Sequence, residues 1–552
     1  MTVNWPGTVP VIIPTYAGGP RLARCLRTFR EHHPQRDRWE LVVVLDGGPD
    51  WEGTERIAKD YGARFIGKTR NSGFAKTVNT GIRATAQCAV KILLNDDVYF
   101  ETGACERLVA AFENPDIWVA GIRLLYPNGT IQHGGVSCDF WHRSVGKPAD
   151  DPEAGQDRDD FSVTGALMGL SGKLLAKIEG LDETFGMSWE DADLCMQTNA
   201  FGKRVRYVGT AWAYHEEGGT RGRGEAEKAS RSKNWSAWEA AGAKRFEEKW
   251  GPRADWKNTR LLEASPKPVK RRVVLRRAAA MGDVLLTTPF AKLMRQRHPT
   301  EELIVETLCS TIYRDNPYVD CVTSPKSAAG DVLYDLDLAY EREPSKSIRQ
   351  AFMDVCQLVE PLESLRPIIY PRMEDRKWAA ETMPNVVRWV VIHPGPSGWQ
   401  GRDWAPEKFA SLAASLRRND TKVVVTGVAT GHKLPCDIDL RGKTSLHQLA
   451  AIIERAALFI GLDSLPAHLA QASRRQLLLI SGSIDPAHTM ILDTKTQSVT
   501  ADPKLVDCLA CHHRLPPPVT SGTCVRHRVM CMEDLDTNTV LAAANKLLGF
   551  SA

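Results

Sequence analysis

An α/β protein made of two successive strand–helix series is the fold this sequence predicts, and three observations predict it. Short β-rich apolar runs alternate with amphipathic helical stretches over residues 9–94 and again from Arg272 to Ile480. Such alternation gives mostly parallel sheets covered on both faces. The two series are parted by Ala254–Lys270, a polar stretch broken by Ser265-Pro266-Lys267-Pro268 that reads as a linker. Acidic residues stand at the carboxyl ends of several strands, where open α/β sheets hold their ligands. The chain of 552 residues is too long for one core, since domains run to about 100–200 residues, and it predicts three or four units.

In the first series Val9–Tyr16 is a strand ending in a turn, and Arg21–His32 is a helix. Leu41–Leu45 is a second buried strand ending on Asp46-Gly47-Gly48. Thr54–Tyr61 is a helix and Arg64–Ile66 a third strand. Asn71-Ser72-Gly73 opens a helix through Ala84, and Val90–Leu94 is a fourth strand ending on Asn95-Asp96-Asp97. Another strand, Val205–Val208, precedes His215. No G-x-G-x-x-G follows the first strand, which speaks against a dinucleotide cofactor. Carboxylates at a strand end can instead hold Mg²⁺ or Mn²⁺, which leave positions open for diphosphate oxygens; Mn²⁺ better tolerates a histidine nitrogen.

The stretch Ser188–Cys195 (SWEDADLC) places three carboxylates within four residues. Ser188 and Asp191 have the spacing of a capping box, and Gly202 supplies a stop, predicting a helix from about Trp189 to Phe201. Glu190 and Asp191 stand about 100° apart on such a helix, so one can face a cleft as a base while the other braces a neighbour. The bland alternative is an ordinary acidic first turn, favoured by the helix dipole. Gly218–Gly224, with Arg221 and Arg223, reads as a flexible connector or a closing loop. Ala226–Trp250 reads as an aromatic-rich helix that ends the domain.

In this order the pieces resemble the inverting family 2 glycosyltransferases of the GT-A fold. The resemblance is carried by Val11–Tyr16, Asp46, the Asn71–Gly81 helix start, Leu94–Asp97, Trp189–Leu194 and His215. It implies a nucleotide-sugar donor held by Pro14, Tyr16, Asp46, Asn71, Lys76, Asp96 and Glu190, with Asp46 on the nucleoside. It further implies Asp191 as general base and Asn95, Asp97 and His215 as ligands of Mn²⁺ or Mg²⁺. Asn95 stands where the family's metal motif more often has Asp.

The second series restarts with the strand Arg272–Arg276, the small-residue turn Ala278–Gly282 and a helix from Asp283 through Arg297. Asp283 there can be a helix N-cap and nothing more. Trp389–His393, Lys422–Thr426, Leu458–Leu462 and Leu477–Ile480 are strands, with helices over about Pro406–Arg418, Ser445–Arg455 and Ala467–Ala472 between them. A break near residues 370–387 divides this half into two lobes with a cleft. The helix after Asp463-Ser464 offers free amides to a phosphate, and Pro466 suits its first turn.

This half resembles the family 9, heptosyltransferase-like glycosyltransferases of the GT-B fold. The carrying motifs are Gly282–Pro289, His393-Pro394-Gly395, Arg402–Phe409, Leu440–Leu446 and Asp463–Ala470. The resemblance implies Asp283 as general base, Arg402 on the donor diphosphate, and Asp463, Ser464 and His468 along the nucleotide site, without a metal. Leu465 stands where the family usually has glycine, and Arg402 where lysine is commoner. Cys508, Cys511, Cys524 and Cys531 are the one ordered cysteine group; four thiolates can hold a structural Zn²⁺, with His512, His513 and His527 as substitutes, or remain free.

The domain reading is 1–252 GT-A, 253–270 linker, 271–380 acceptor lobe and 381–552 nucleotide-sugar lobe with the cysteine group. A net charge of +4 gives no ground for a nucleic-acid partner. No apolar run reaches the roughly 18–20 residues of a membrane span, so peripheral contact is the most a membrane gets. No export signal is visible and the 13 cysteines are mostly scattered, which points to a cytoplasmic protein. The expected function is a bifunctional glycosyltransferase using nucleotide-sugar donors on a glycan or lipid-linked glycan acceptor, as in bacterial surface polysaccharides (lipopolysaccharide core, O-antigen or capsule). The alternative is a single family 2 activity with the second half as a binding module.

Overall fold

The computed structural model describes residues 7–138, 142–185, 188–216, 235–251, 271–326, 330–384, 388–418, 420–429, 432–514, 524, 526 and 528–550. The linker 253–270, the glycine-rich stretch 218–224 with Arg221 and Arg223, and His527 lie outside the described residues, as does the His513 side chain. The chain forms two compact units: Met1–Arg271 with Asp320–Ala329, and Arg272–Val319 with Gly330–Ala552.

In the first unit the apolar runs form parallel strands β1 (Val9–Thr15), β2 (Trp39–Asp46), β3 (Arg64–Lys68) and β4 (Val90–Leu94), in the order β3-β2-β1-β4. Helix α1 (Gly19–His32) turns Leu22, Cys25, Leu26 and Phe29 inward, all fully buried. Each large side chain buried this way is worth roughly 1.5–3 kcal/mol. Beyond β4 the sheet is mixed: β9 (Leu167–Ser171) runs antiparallel to β4 and to β6 (Ile117–Leu125), and β10 (Arg204–His215) runs parallel to β6. The short β5 (Val98–Tyr99) pairs antiparallel with the end of β10. On the far side β13 (Cys321–Thr323), supplied from later in the chain, pairs antiparallel with β3. His215 is thus the last residue of a long strand, where the sequence predicts a shorter strand ending before it.

Two helices carry corrections. The predicted capping box at Ser188 is not made. The helix α6 (Glu190–Ala200) starts after Trp189, which takes a left-handed backbone (φ 73°) and makes no side-chain cap. The single helix predicted from Asp283 to Arg297 is two, Met281–Leu286 and Thr288–Arg297. Pro289 cannot donate a backbone hydrogen bond there, and the Thr287 hydroxyl bonds Val284 O at 2.7 Å and Tyr313 Oη at 2.6 Å.

The second unit holds a parallel sheet with β11 (Arg272–Arg276) between β12 (Glu302–Glu306) and β14 (Val332–Asp335). It also holds an all-parallel six-stranded sheet ordered β17-β16-β15-β18-β19-β20. Its strands are β15 (Arg388–His393), β16 (Thr421–Val425), β17 (Ile438–Asp439), β18 (Leu458–Leu462), β19 (Gln476–Ile480) and β20 (Thr496–Val499). β18 and β19 are near-continuous apolar runs because both faces are covered. The C-terminal helix Thr537–Leu548 packs Val540, Ala544 and Leu548 into the core of this sheet. The Lys408 ammonium fixes the turn before it by bonding the carbonyls of Met532, Glu533 and Leu535 at 2.6–3.2 Å.

Candidate active sites

In the first unit the acidic groups gather where β1, β4 and β10 end. Thr15, the last residue of β1, donates its hydroxyl to Asp96 Oδ2 at 2.5 Å. Asp97 Oδ1 lies 3.0 Å from His215 Nε2, and His215 Nδ1 lies 2.8 Å from Gln132 Oε1. Asn95 is pinned through its backbone, which donates to Ala166 O at 2.8 Å. Its side-chain Oδ1 is buried with no hydrogen-bond partner.

Burial, helped by the charge of Asp97, pushes the Asp96 carboxyl up to about 6 against the pull of Thr15 and Arg21. For Asp97 burial pushes the same way, but the His215 hydrogen bond and charge outweigh it and hold the carboxyl below its ordinary range. Arg21, on α1, acts on both carboxylates. Its neighbour Arg24 lies over the Tyr99 ring at 4.1 Å and pairs with Glu216 at 2.5 Å. Sequence reasoning passed over both arginines; a pair of basic residues on the helix behind the first strand was the available signal.

The acid-rich turn is tied to this cluster through backbone. Asp191 Oδ2 accepts from Gly165 N at 2.8 Å, and Oδ1 accepts from Ala192 N at 2.8 Å. Gly165 immediately precedes Ala166, the partner of Asn95, so one short segment positions Asp191 beside the Asn95–Asp97 turn. A Cβ on Gly165 would stand 3.1 Å from Asp191 Cβ. Glu190 is buried at the helix start.

Asp193, the third acid, is fully buried and has a different task. It accepts from Trp250 Nε1 at 2.8 Å, Gln197 Nε2 at 2.7 Å and Lys249 Nζ at 2.8 Å. Lys249 also reaches Asp182 at 2.9 Å. The helix Trp235–Trp250 is thereby clamped against the turn, with Phe246 packed on Trp189 at a ring distance of 5.1 Å.

The other expected donor residues are placed less uniformly. Asp46 is buried, and its two oxygens accept from Ser72 N (2.9 Å), Ser72 Oγ (3.0 Å) and Gly73 N (3.0 Å). It therefore shapes the Asn71–Gly73 turn. Asn71 Oδ1 accepts from Gly73 N at 3.2 Å. Pro14 is buried inside β1, whereas Tyr16 and Lys76 are exposed.

In the second unit five expected residues come together. The loop after β15 is folded by Asp403, whose carboxylate accepts from Ser397 N at 2.6 Å and Gly398 N at 3.2 Å. This sets Arg402 over Trp399 at 4.9 Å, with Nη2 3.9 Å from Asp463 Oδ2. His468 Nε2 stands 3.9 Å from Asp463 Oδ1. Ser464 caps β18, donating its hydroxyl to Leu462 O at 3.2 Å. A Cβ on Gly282 would meet His468 Cδ2 at 3.3 Å and Leu465 N at 3.8 Å, which puts Asp283 and its helix against this group.

Asp283 Oδ2 accepts from Tyr340 Oη at 2.8 Å and from Arg277 Nη2 at 2.5 Å. Burial pushes its carboxyl above the ordinary range, with Arg277 pulling against it. Burial also raises Asp463 and lowers His468 to about 3, so the imidazole is neutral. His468 Nδ1, Arg402 Nε and Ser483 Oγ are buried without hydrogen-bond partners, while the Thr489 hydroxyl acts on the Asp463 carboxylate as a hydrogen-bond partner. Buried polar atoms are rarely left so, and several in one place mark a ligand's position. Arg349, fully buried and unforeseen from sequence, holds Thr489 O at 2.8 Å and Gln471 Oε1 at 3.3 Å.

The four C-terminal cysteines are free thiols, and burial pushes Cys531 up to about 12, with Cys511, Cys508 and Cys524 adding to it. Among the described residues no three His, Cys, Asp or Glu side chains gather as a metal-holding group. The zinc expectation therefore has no tetrahedral site among them. Asp97 and His215 would supply two ligands to a cation in the first site, and the orphaned Asn95 oxygen is a neutral donor in the same turn as Asp97. A divalent cation that takes diphosphate oxygens for its remaining positions fits this set.

Comparison with known proteins identifies the class. Residues 11–167 match the model for glycosyl transferase family 2, and residues 362–515 that for glycosyltransferase family 9 (heptosyltransferase). The chain thus carries a segment matching family 2 followed by a segment matching family 9, both of them glycosyltransferase families. Among curated proteins it is 26% identical over 225 residues to the O-antigen biosynthesis protein RfbC of Myxococcus xanthus, covering 39% of this chain and 18% of that one. It is 33% identical over 94 residues to lipopolysaccharide heptosyltransferase 3 of Escherichia coli, covering 15% and 28%. The chain thus spans less than a third of the length of these relatives. Among solved structures, a family 9 glycosyltransferase from Veillonella parvula matches with 17% identity and a TM-score of 0.41, over 51% of this chain and 99% of that one. Among the described residues no helix is long and apolar enough to cross a membrane.

Proposed function

We propose that the protein is a two-site glycosyltransferase acting in the assembly of a bacterial surface glycan, each site taking its own nucleotide-sugar donor. In the first unit Asp191 is the general base. Two backbone amides fix its carboxylate, which removes the proton of an acceptor hydroxyl as that oxygen bonds to the anomeric carbon. The bond to the nucleoside diphosphate breaks on the opposite face, and its electron pair leaves with the diphosphate, inverting the centre. A divalent cation held by Asp97 and His215 would neutralise charge on that diphosphate. Arg21 adds positive charge beside the same carboxylates, and Gln132 holds the His215 ring in place.

In the second unit Asp283 is the base and Arg402 faces the donor diphosphate, with no metal needed. Burial raises the proton affinity of Asp283, and the Arg277 and Tyr340 contacts fix the oxygen. The observation that carries two-site function is the set of unpartnered buried polar atoms around Asp463 and His468, next to Asp283. The relatives' roles in O-antigen and lipopolysaccharide synthesis support a surface-glycan acceptor.

The second reading is a single family 2 activity with a binding module, favoured by Leu465 at a helix start where the family keeps glycine. Donor turnover against a panel of nucleotide sugars, with and without Mn²⁺, separates the two using Asp191→Asn and Asp283→Asn. Two activities, one metal-dependent and lost with Asp191, the other lost with Asp283, establish the two-site enzyme. Loss of all turnover in Asp191→Asn, with none lost in Asp283→Asn, leaves the binding module.

A further inference from the structure

A hollow of about 490 Å³ in the second unit, apart from the Asp283–His468 site, is lined by Arg376, Glu454, Arg455, Ser473, Arg474 and Arg475. It lies where the helices Leu446–Glu454 and Leu465–Ala472 end and beside Met373–Thr382. Lys495 adds a further cation, its ammonium 3.2 Å from Arg474 O.

Arginine near a helix C-terminus has an ordinary explanation, the balancing of the helix dipole, and the charges show how far it reaches. Each helix end contributes about half a negative charge. Glu454 supplies one more and is already taken by a two-pronged bond from Arg376, at 2.8 and 3.0 Å. Against roughly two negative charges stand Arg376, Arg474, Arg475 and Lys495, which leaves about two positive charges uncompensated even with Arg455 set aside. Arg455 spends its Nε on Met383 O at 2.8 Å. Arg474 and Arg475 are exposed and make no ion pair with an acid among the described residues.

Two local details set this hollow apart from a solvated basic face. Arg474 sits in the left-handed region (φ 52°) just after the helix, where glycine is the relaxed choice. Ser473 Oγ is buried without a hydrogen-bond partner. A concave surface with several guanidinium forks and a spare hydroxyl donor matches the three-fold acceptor geometry of a phosphate group.

We infer that this hollow binds a phosphate-bearing ligand, and that it does so independently of both transfer sites. A phospholipid headgroup and a soluble phosphate compound share this chemistry, and the test separates them. The full chain is titrated with inorganic pyrophosphate by calorimetry and floated with vesicles of phosphatidylcholine alone or with phosphatidylglycerol added. The paired variant is Arg474→Gly with Arg475→Ser, since glycine relaxes the left-handed residue and the fold is not burdened. A control, Lys422→Ala with Lys433→Ala, removes the same charge from exposed positions elsewhere in the unit.

Binding of either probe should weaken at least about ten-fold in the arginine variant, given roughly a five-fold effect for each of the two cations near an anionic surface, and stay within two-fold in the control. Donor turnover should be unchanged in both. Capture by phosphatidylglycerol vesicles without pyrophosphate binding assigns the ligand to a lipid headgroup, and the reverse assigns it to a soluble phosphate. Equal losses in variant and control, or no binding of either probe, overturns the proposal.

Discussion

As the proposed bases, Asp191 and Asp283 would reach the same task by different local means. Asp191 is oriented by two amides, one from its own helix and one from Gly165, each accepted by a different carboxylate oxygen, so an asparagine there keeps one of the two bonds. Asp191→Asn should therefore lower kcat of the metal-dependent activity by about 10²–10⁴-fold, the usual worth of a general base, with an unchanged circular dichroism spectrum. Asp283 is raised by burial, so the acid limb of its activity should lie above the ordinary carboxylate range. A pH–rate profile of the second activity checks this; an acid limb in the ordinary range would count against Asp283 as the base. His33 gives a stability counterpart. It is fully buried against Phe29, and burial lowers it to about 4. The unfolded chain binds this proton more readily, so the contribution is present above about pH 6.5 and is lost as pH falls towards 4, at roughly 1.4 kcal/mol per pH unit. Urea unfolding of His33→Gln should show a pH slope shallower by one proton in that window.

Among the elements, the helix Trp235–Trp250 matters more than its sequence announces. Gly242 packs so closely that a Cβ would meet Ser188 O at 2.8 Å, while Lys249 and Trp250 grip Asp193. Trp250→Phe leaves a buried carboxylate short of one donor and should cost about 1–3 kcal/mol in unfolding free energy, read by urea titration. Gly242→Val should displace the Ser188–Trp189 backbone and lower kcat with little change in the donor KM. The sequence showed the acid-rich turn but not which acid does what, because Asp193 is held by Lys249 and Trp250, more than fifty residues away. It also predicted a capping box that loses to a left-handed Trp189, a conformation held by tertiary packing on Phe246. Strands β1–β4 and β18 were legible because buried parallel strands are short uniform apolar runs. Strands β6 and β9 were missed because their antiparallel pairing is set by distant partners and not by local pattern.

At the scale of the whole molecule, the proposed donor sites, one in each unit, should respond separately to ligand. A donor held only by the second unit should raise one thermal transition and leave the other, by about 2.7 kcal/mol of stability at a hundred-fold excess over Kd, as scanning calorimetry would show. Equal shifts of both transitions would argue against independent sites. The first unit is nonetheless not finished by its own stretch of chain, because β13 closes the edge of its sheet at β3 through Cys321–Lys68 and Thr323–Ile66 register pairs. During synthesis, at about 5–20 residues per second, β3 emerges and waits for roughly 10–50 seconds before its neighbour exists. An unpaired strand edge in that interval invites pairing with another nascent chain. The two halves of the polypeptide therefore share a folding schedule, and severing them at the linker would leave the first sheet permanently open at one side.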